Sequence, residues 1–333
     1  MNGGISTGLL LMRGWLLAAL VVGWGGSLHA AELVSVKRIW DAAPHNAFTD
    51  LVHHRDEWLC VFREGKGHVS PDGAVRVLAS KDGENWTSAA VLRSARGDLR
   101  DPKIVPAPGG RLFLTAAIAL PQPNPVRHQT VAWSSKDGRE WGESFDIGDP
   151  NVWMWRVVWR KRVAYGIGYD TSGEDFVRLY RSRSRDGRSF ETVLPTLFEQ
   201  GEPNEAGLVF EPDGTAICLL RRDGNPGSGF VGRSQAPYKD WVWKDLGVRI
   251  GGPQCLRLND GRVIGAVRLY DGGDRTSLVW VDSLAGKITE FLKLPSGGDT
   301  SYPGLVWREG LLWVSYYSSH EGKTSIYLAK VRL

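Results

Sequence analysis

The chain has 333 residues and a formal net charge of +4, from 41 Lys and Arg against 37 Asp and Glu. The basic residues are scattered and form no Lys/Arg block, which disfavours a nucleic-acid-binding protein. Gly and Trp are frequent and no long stretch shows helical periodicity, so the composition indicates an all-β protein. About 300 residues fit one closed propeller domain.

The N-terminal segment has the features of an export signal. Arg13 precedes an apolar run at residues 14–24, and small residues follow at Ala30 and Ala31. This order is typical of a secretory signal peptide. The run is shorter than the roughly 20 residues that span a bilayer, which disfavours an uncleaved anchor. We expect residues 1–30 to be a signal peptide, residues 31–333 to form the mature domain without a membrane span, and the product to be periplasmic or extracellular.

One short pattern recurs three times in the first part of the domain. It reads Ser-x-Asp-Gly-x-x-aromatic and occupies residues 80–86, 135–141 and 184–190. In each copy the Asp can accept hydrogen bonds from turn amides, the Gly can adopt a positive φ, and the aromatic ring can pack beside the turn. The aspartates Asp82, Asp137 and Asp186 are 55 and 49 residues apart. Short strands repeated at this period predict propeller blades.

Strand-like runs complete six such units. Four first strands align by eye, beginning at residues 48, 101, 205 and 302, and each precedes a polar turn and a second strand. Residues 152–159 and 162–169 supply the third unit, and residues 253–258 open the fifth. The last unit lacks a fourth strand, and residues 34–40 can take that place and close the ring, which removes exposed sheet edges. The sequence therefore predicts an all-β, six-bladed β-propeller.

The three cysteines, Cys60, Cys218 and Cys255, lie in apolar strand-like runs. Their odd number and wide spacing argue against a disulfide framework or a zinc site. We expect buried thiols.

The three repeats resemble the Asp boxes, or BNR repeats, of the sialidase (neuraminidase) superfamily. The resemblance extends over residues 31–333 and implies a six-bladed propeller with the boxes on the face opposite the active site. It also implies an exo-glycoside hydrolase that acts on a glycan or glycoconjugate ending in an acidic, sialic-acid-like sugar, without a metal or organic cofactor. These enzymes use a Tyr nucleophile assisted by a Glu, because a carboxylate nucleophile would be repelled by the carboxylate of the substrate.

Equivalent positions of the blades converge on the propeller axis, so polar residues that share a register should meet. The first strands begin with Asp101, Glu205 and Tyr302, each three residues before the aligned aliphatic residue. The register alone fits either a site or hydrogen bonds that join the blades. The resemblance implies that Tyr302 is the nucleophile and Glu205 its base. Arg100 and Asp101 belong to a stretch similar to an Arg-Asp-Pro-like segment of the family's second blade, which makes both candidate site residues.

The ends of three second strands carry Arg63, Arg221 and Arg268. Three guanidinium groups at one rim would concentrate positive potential and bind a carboxylate through paired hydrogen bonds. These positions resemble part of the arginine triad that binds the sugar carboxylate in sialidases. Arg222 is the alternative to Arg221. The competing interpretation is ion pairing between blades, with Glu64, Asp223 or Asp271.

Loops near this rim hold further candidates. Asp72 and His68 follow the second strand of the first blade, where the family carries its general acid, and either could take that role. Asp72 also fits an ordinary Pro-Asp-Gly turn. His320 follows the second strand of the last blade and is either a substrate ligand or a solvated loop residue.

One strand departs from the sialidase pattern. The family carries a Phe/Tyr-Arg-Ile-Pro motif in its first inner strand, where this chain reads Ala47-Phe48-Thr49-Asp50. The first arginine is absent, and Asp50 would repel a carboxylate. A glycosidase for another sugar and a non-catalytic carbohydrate-binding propeller therefore remain alternatives. An interaction scaffold has no support beyond the fold.

Overall fold

A computed structural model of the protein describes residues 1–4 and 30–333. Twenty-four strands in these residues form six four-stranded antiparallel sheets, which are the blades of a six-bladed β-propeller. None of the described residues belongs to a helix that could cross a membrane. The apolar run of the predicted signal peptide, residues 14–24, lies outside the described residues.

The first strand, β1 (Glu32–Trp40), belongs to the last blade, and three complete blades follow it. Blade one contains β2 (His45–His54), β3 (Glu57–Gly65), β4 (Ala74–Ser80) and β5 (Thr87–Leu92). Blade two contains β6 (Asp98–Ala107), β7 (Arg111–Ala119), β8 (His128–Ser135) and β9 (Phe145–Asp146). Blade three contains β10 (Val152–Arg160), β11 (Val163–Asp170), β12 (Val177–Ser182) and β13 (Phe190–Phe198).

The remaining three blades complete the ring. Blade four contains β14 (Pro203–Phe210), β15 (Ala216–Arg222), β16 (Phe230–Ser234) and β17 (Trp241–Asp245). Blade five contains β18 (Ile250–Arg257), β19 (Val263–Leu269), β20 (Arg275–Asp282) and β21 (Lys287–Lys293). Blade six contains β22 (Thr300–Arg308), β23 (Leu311–Ser318) and β24 (Ser325–Arg332). β1 pairs antiparallel with β24 as its fourth strand, which is the closure expected from the sequence.

The three Ser-x-Asp-Gly repeats form the turns between the third and fourth strands of blades one to three. In the first turn, Oδ1 of Asp82 accepts the backbone N–H groups of Glu84 and Asn85, both at 2.8 Å. Gly83 has a φ of 69°, and a Cβ atom there would lie 2.4 Å from the side chain of Trp313 in blade six. Glycine therefore allows the turn conformation and also the close contact between blades.

A fourth turn of this shape joins β16 and β17, and the sequence pattern missed it. Ser234 Oγ donates to the carbonyl of Asp240 at 2.6 Å, and Trp241 Nε1 donates to the carbonyl of Tyr238 at 3.0 Å. Ser135 and Trp141 make the corresponding bonds in blade two, at 2.6 and 3.0 Å. Tyr238 has a φ of 65° where the other turns carry glycine, so the Asp-Gly signature is absent although the turn remains.

Each blade has a register shift between its first and second strands near the axis. Such bulges redirect side chains. In three blades the bulge holds a non-glycine residue at positive φ: Phe48 (65°), Asp101 (48°) and Tyr302 (49°). These bulges lie at the start of the first strands, so they open on the face opposite the Ser-x-Asp-Gly turns.

The core lies between the blades and contains the three cysteines, all of them buried and unbridged, which confirms the expected buried thiols. Burial raises the pKa of the Cys60 thiol above its ordinary value, and the charge of Asp50 adds to this effect. These cysteines are therefore packing residues.

The structure corrects the expected effect of Asp50. Its carboxylate accepts Nη1 of Arg156 and the backbone N–H of Ile104, both at 2.9 Å, and it is 2% exposed. Its charge is thus paired inside the propeller and does not stand free against a ligand. Asp50 and Arg156 form one wall of a cavity of about 500 Å³ whose lining includes neither Tyr302 nor Glu205.

Candidate active site

The centre of the candidate site is a hydrogen-bonded group from blades four and six. The phenol of Tyr302 donates to Oε1 of Glu205 at 2.5 Å. Nη1 of Arg221 lies 3.0 Å from the phenol oxygen and 2.9 Å from the same carboxylate oxygen. The other oxygen of Glu205 accepts the backbone N–H of Gly252 at 2.7 Å. The shared register of two residues 97 positions apart does bring them into contact.

The environment of Tyr302 keeps its phenol protonated before reaction. Burial raises the pKa of Tyr302 well above its ordinary value, the negative charge of Glu205 raises it further, and Arg221 lowers it. The phenol proton already lies on the bond to Glu205, so that carboxylate is the group placed to accept it.

Arg221 is held by acidic partners. Its Nη2 and Nε donate to the two oxygens of Asp223 at 2.8 and 3.1 Å. Asp223 also accepts Arg249 at 3.0 Å and Asn204 at 2.9 Å. Burial alone would lower the pKa of Arg221, but the charge of Glu205 and its other anionic neighbours raise it, so the guanidinium stays charged. The ion pair with Asp223, which the sequence offered as the alternative to binding a substrate carboxylate, is therefore present.

A second network surrounds Asp299, in the loop before β22. Its Oδ1 accepts the phenol of Tyr317 at 2.7 Å and Nη2 of Arg268 at 3.2 Å. Its Oδ2 lies 2.8 Å from Nδ1 of His68 and 3.4 Å from Nε2 of His45. Burial would raise the pKa of Asp299, but hydrogen bonds from the histidines and the phenol hold it far below its usual range. The carboxylate therefore orients His68 through Nδ1, and this side chain is 50% exposed.

Arg268 connects the two networks. Its Nε donates to the carbonyl of Thr300 at 2.8 Å, and its Nη2 donates to the phenol oxygen of Tyr317 at 2.9 Å. Its guanidinium carbon lies 5.3 Å from the centre of the Tyr302 ring. Arg268 therefore lies beside Tyr302, as its register predicted. Most of its N–H donors are already bound to groups of the protein.

Aromatic rings line the space beside these networks. The Phe48 ring lies 5.3 Å from that of Tyr302 and 5.1 Å from that of His68, measured between centres. Trp153 stacks on Tyr169 at 5.7 Å. Phe48 lies in β2, whose residues 47–50 include no arginine. These rings are largely buried and hold the surrounding polar groups in place.

Arg100 and Asp101 form the blade-two side of the site. The guanidinium carbon of Arg100 lies 5.7 and 5.9 Å from the ring centres of Phe48 and Trp153. No described residue pairs with the buried Nε of Arg100 or the buried Oδ1 of Asp101. Burial raises the pKa of Asp101 to about 6, although Lys103 and Arg100 act to lower it.

The structure places Arg63 away from this group, which corrects its predicted role. The side chain is fully buried, at 0% exposed, and its Nε donates to Asp98 at 2.9 Å. Its other nitrogens donate to the carbonyls of Gly67 and Ser70 at 2.8 and 3.1 Å. Arg63 therefore supports the loop that carries His68 and joins it to the start of β6 in blade two.

Arg222 likewise does not face Tyr302. Successive side chains of a strand point to opposite faces of the sheet, so when Arg221 faces the axis, Arg222 cannot. Its Nε donates to the carbonyl of Ser228 at 2.8 Å, and its guanidinium carbon lies 4.3 Å from the centre of the Phe230 ring. Of the two alternatives, the structure places Arg221 at the site.

Asp72 and His320 contact only nearby residues and belong to neither the Tyr302 network nor the Asp299 network. Asp72 accepts the backbone N–H of Lys66 at 3.3 Å, and a hydrogen bond from Ser70 lowers its pKa, which is the expected behaviour of a turn residue. Nδ1 of His320 lies 2.9 Å from Ser318 Oγ, and its ring packs 5.0 Å from that of Tyr327. Between Asp72 and His68, the structure joins His68 to the site.

Sequence reasoning missed Asp299 and the aromatic lining. Asp299 was visible only as part of a polar stretch before Tyr302, and its partner His68 comes from a loop 231 residues earlier in the chain. The nearest available signal for the lining was the Trp153-Met154-Trp155 run, which is unusually aromatic for a strand start.

His45, His68 and Asp299 are also the one described group whose donor atoms lie close enough to consider a metal ion, within 4.8 Å of one another. His68 is explained by a direct hydrogen bond to Asp299 at 2.8 Å, and Nε2 of His45 lies at ion-pair distance from the same oxygen, at 3.4 Å. Arg268 occupies the other oxygen of Asp299, and its positive charge opposes a cation there. The donor set therefore fits a hydrogen-bonded network better than a metal site.

Comparison with known proteins shows the fold. No protein-family model and no curated protein matches the sequence. Among solved structures, a protein of unknown function from Dyadobacter fermentans matches with a TM-score of 0.79 and 19% identity, over 92% of this chain and 100% of that one. The GH93 α-L-arabinofuranosidase of Fusarium graminearum in complex with arabinobiose matches with a TM-score of 0.70 and 15% identity, over 90% and 98%.

A sialidase is also similar. The Trypanosoma rangeli sialidase in complex with sialic acid matches with a TM-score of 0.62 and 14% identity, over 91% of this chain and 59% of that one. At such identities the similarity establishes a sialidase-like six-bladed propeller, the predicted fold, and carries no residue-level assignment.

Proposed function

We propose that this protein is a glycoside hydrolase that releases a terminal sugar from a glycan, with Tyr302 as nucleophile and Glu205 as its base. The observation that carries the proposal is the 2.5 Å hydrogen bond from the Tyr302 phenol to Oε1 of Glu205. Nη1 of Arg221 contacts both the phenol oxygen and that carboxylate oxygen. A buried phenol paired with a carboxylate and a cation is an activated-nucleophile arrangement. The similar arabinofuranosidase and sialidase structures support a glycan as substrate.

In the proposed reaction, the Tyr302 oxygen attacks the anomeric carbon while its proton moves to Glu205. The bond from that carbon to the leaving oxygen breaks, and the leaving oxygen takes a proton from an acid. Water then attacks the anomeric carbon and gives a proton to the acid that was deprotonated in the first step. The bond from that carbon to the Tyr302 oxygen breaks, and the proton on Glu205 returns to the phenol oxygen. Arg221 stabilises the phenolate character that develops on Tyr302, because it already contacts that oxygen at 3.0 Å.

His68 is the proposed general acid. Its Nδ1 is fixed by Asp299, which leaves Nε2 for the leaving group, and its ring contacts Phe48, which in turn contacts Tyr302. A histidine oriented by a carboxylate is a frequent proton donor. Asp72 is the weaker candidate, because its contacts lie within its own turn.

An acidic terminal sugar, as in a sialidase, is the first proposed substrate class. Arg100, Arg221 and Arg268 surround the site and support it. A neutral sugar is the second, and two observations favour it: Phe48 replaces the first arginine, and Asp223 and Asp299 neutralise Arg221 and Arg268. We also propose, from the sequence, that the protein is exported after cleavage near Ala30, which N-terminal sequencing of the exported protein would test.

The proposal is tested by measuring release of the aglycone from a panel of aryl glycosides with acidic and neutral sugars. The panel includes N-acetylneuraminide, glucuronide and arabinofuranoside. We expect turnover of at least one glycoside by the parent protein and none above background by Tyr302→Phe. Saturable binding without turnover of any member would instead support the carbohydrate-binding propeller and overturn the hydrolase.

A further inference from the structure

The arginines predicted to bind substrate differ in what their guanidinium groups already do. Four of them are committed to protein partners: Arg63, Arg221, Arg222 and Arg268. Arg100 is the exception, since no hydrogen bond or ion pair joins its side chain to any residue in the described ranges 1–4 and 30–333. It is therefore the arginine of the site with unused donors.

The surroundings of Arg100 hold its guanidinium in place without neutralising it. The group lies over the rings of Phe48 and Trp153, at 5.7 and 5.9 Å from their centres. Aromatic faces position a guanidinium by cation–π attraction and leave its N–H edge available. Nε is the atom of the Arg100 guanidinium that is both buried and unpaired, and the two Nη groups form its accessible edge.

Neither neighbouring titratable group is hydrogen-bonded or ion-paired to the Arg100 guanidinium within the described residues. Asp101 makes no ion pair with Arg100 within the described residues, and burial raises the pKa of Asp101 to about 6. Nδ1 of His128 is buried and unpaired, and burial, assisted by Arg100, lowers its pKa to about 4. At neutral pH the histidine is therefore uncharged.

The position of Arg100 separates it from the reacting centre. It lies on blade two, opposite Arg268 on blade five in a six-bladed ring. The Phe48 ring centre lies 5.7 Å from the Arg100 guanidinium carbon and 5.3 Å from the Tyr302 ring centre. Within the described residues no hydrogen bond or ion pair joins Arg100 to Tyr302 or Glu205, so Arg100 stands apart from the reacting pair.

We propose that Arg100 binds an anionic substituent of the sugar, carried on a ring position away from the reacting carbon. A carboxylate or a sulfate ester has the planar or trigonal set of oxygens that a guanidinium edge binds through two hydrogen bonds. This inference rests on the proposed function for the location of the sugar. It deepens that function by assigning recognition of the acidic group to Arg100, while Arg221 and Arg268 organise the reacting centre.

The test compares sugar pairs that differ only in charge. Binding of D-glucuronate, D-glucose 6-sulfate and D-glucose, and of the corresponding galactose set, is measured by calorimetry with Tyr302→Phe, which removes turnover. Because a charge-assisted pair of hydrogen bonds contributes strongly, we expect an anionic member to bind about tenfold tighter than its neutral partner. The carboxylate and sulfate members identify which anion is preferred.

Variants of Arg100 then decide whether this residue is responsible. Arg100→Gln in the same background should bring the preference to within about twofold, and Arg100→Lys should restore part of it, because charge returns without the bidentate edge. The matched control is Arg96→Gln, in the loop just before the first strand of the same blade, whose exposed side chain pairs with Asp146 at 2.5 Å. It should leave the preference unchanged.

The outcomes separate the inference from the proposed function. No anionic preference in any pair, or an equal preference in Arg100→Gln, would overturn the role of Arg100. An anionic preference that depends on Arg100 supports it, even if the parent protein turns over no glycoside, in which case the hydrolase alone is rejected. Turnover of neutral and anionic glycosides at equal rates would reject Arg100 and keep the hydrolase.

Discussion

The two halves of the candidate site differ in how their polar groups are paired. On blades four to six, the side chains of Tyr302, Glu205, Arg221 and Arg268 are joined to protein partners by short hydrogen bonds. On blades one to three, several buried polar atoms remain without a partner among the described residues, including those of His45, Arg100, Asp101, His128 and Trp155. On blades four to six, Trp40, Tyr270, Ser301 and Trp313 each hold one such atom, but the four groups of the central network hold none.

This difference in pairing separates the requirements of catalysis from those of ligand recognition. Groups that act on a reacting bond are effective when they are already oriented, because no reorganisation is then needed in the transition state. A buried unpaired polar group costs about 1–3 kcal/mol of stability, which a bound ligand can recover by pairing with it. The paired half therefore fits catalysis, and the unpaired half fits recognition of a sugar. Substitutions in each half test this distinction.

Changes to the central pair should abolish activity with little loss of stability. Tyr302→Phe removes the attacking oxygen and Glu205→Gln removes the proton acceptor, so each should lower kcat/KM by about a thousandfold or more. Aglycone release and denaturant unfolding are measured side by side. Tyr316→Phe is the control, because its hydroxyl donates to the carbonyl of Pro295 at 2.8 Å, outside the pair. Unimpaired turnover by Tyr302→Phe would contradict the nucleophile assignment.

Loss of the proposed acid should depend on the leaving group. His68→Gln should lower kcat by about a hundredfold for alkyl glycosides, whose leaving oxygen needs a proton, and much less for nitrophenyl glycosides, which leave without help. Asp299→Asn should reproduce the pattern more weakly, since it removes only the group that orients His68. Asp72→Asn is the matched loop control. An equal loss for both glycoside classes would indicate a structural role for His68.

Removal of a partner on the paired half should destabilise the fold. Asp223→Asn takes away the charge that holds Arg221 in a bidentate pair, leaving a largely buried guanidinium with fewer partners. We expect the free energy of unfolding to fall by about 1–2 kcal/mol, less than for a fully buried pair because Asp223 is partly exposed. Asp245→Asn, the exposed partner of Arg222 at 3.5 Å, should change it little. If both substitutions lowered the free energy of unfolding equally, the pair between Arg221 and Asp223 would stabilise the fold no more than an exposed ion pair does.

The fold was predictable because its signals are local and repeated. The Ser-x-Asp-Gly turns, the alternation of strands and turns, and the closing strand at residues 34–40 all reappear in the structure, where β1 is Glu32–Trp40. The turn at residues 234–241 escaped because hydrogen bonds from Ser234 and Trp241 preserve its shape after the Asp-Gly signal has been lost.

The site was predictable only in part, for a physical reason. Shared register identified Tyr302 and Glu205, because the ring symmetry brings equivalent strand positions together. Register could not show that Arg63 turns to Asp98, since this partner begins the first strand of the next blade. It also could not join His68 to Asp299, because loop conformations depend on contacts across blades that no local pattern records.

The smallest predicted effect is a gain in stability on the unpaired half. The pKa of Asp101 is raised to about 6 from an ordinary value of 3.8, because burial disfavours its charge more than Arg100 and Lys103 favour it. The folded protein therefore binds this proton more tightly than the unfolded chain. The contribution of the carboxyl group to stability is present below about pH 4 and is lost as the pH rises to about 6.

Asp101→Asn removes this titration. The free energy of unfolding of the variant, relative to that of the parent protein, should therefore rise by on the order of 2 kcal/mol between about pH 4 and pH 7.5. Urea unfolding at the two pH values measures the difference, with the exposed Asp274→Asn as control. Asp223→Asn should show the opposite sign at neutral pH, because there the lost carboxylate was paired. If Asp101→Asn were destabilising at pH 7.5, the carboxylate of Asp101 would have a partner in the folded protein, and the distinction between a paired and an unpaired half would fail at this residue.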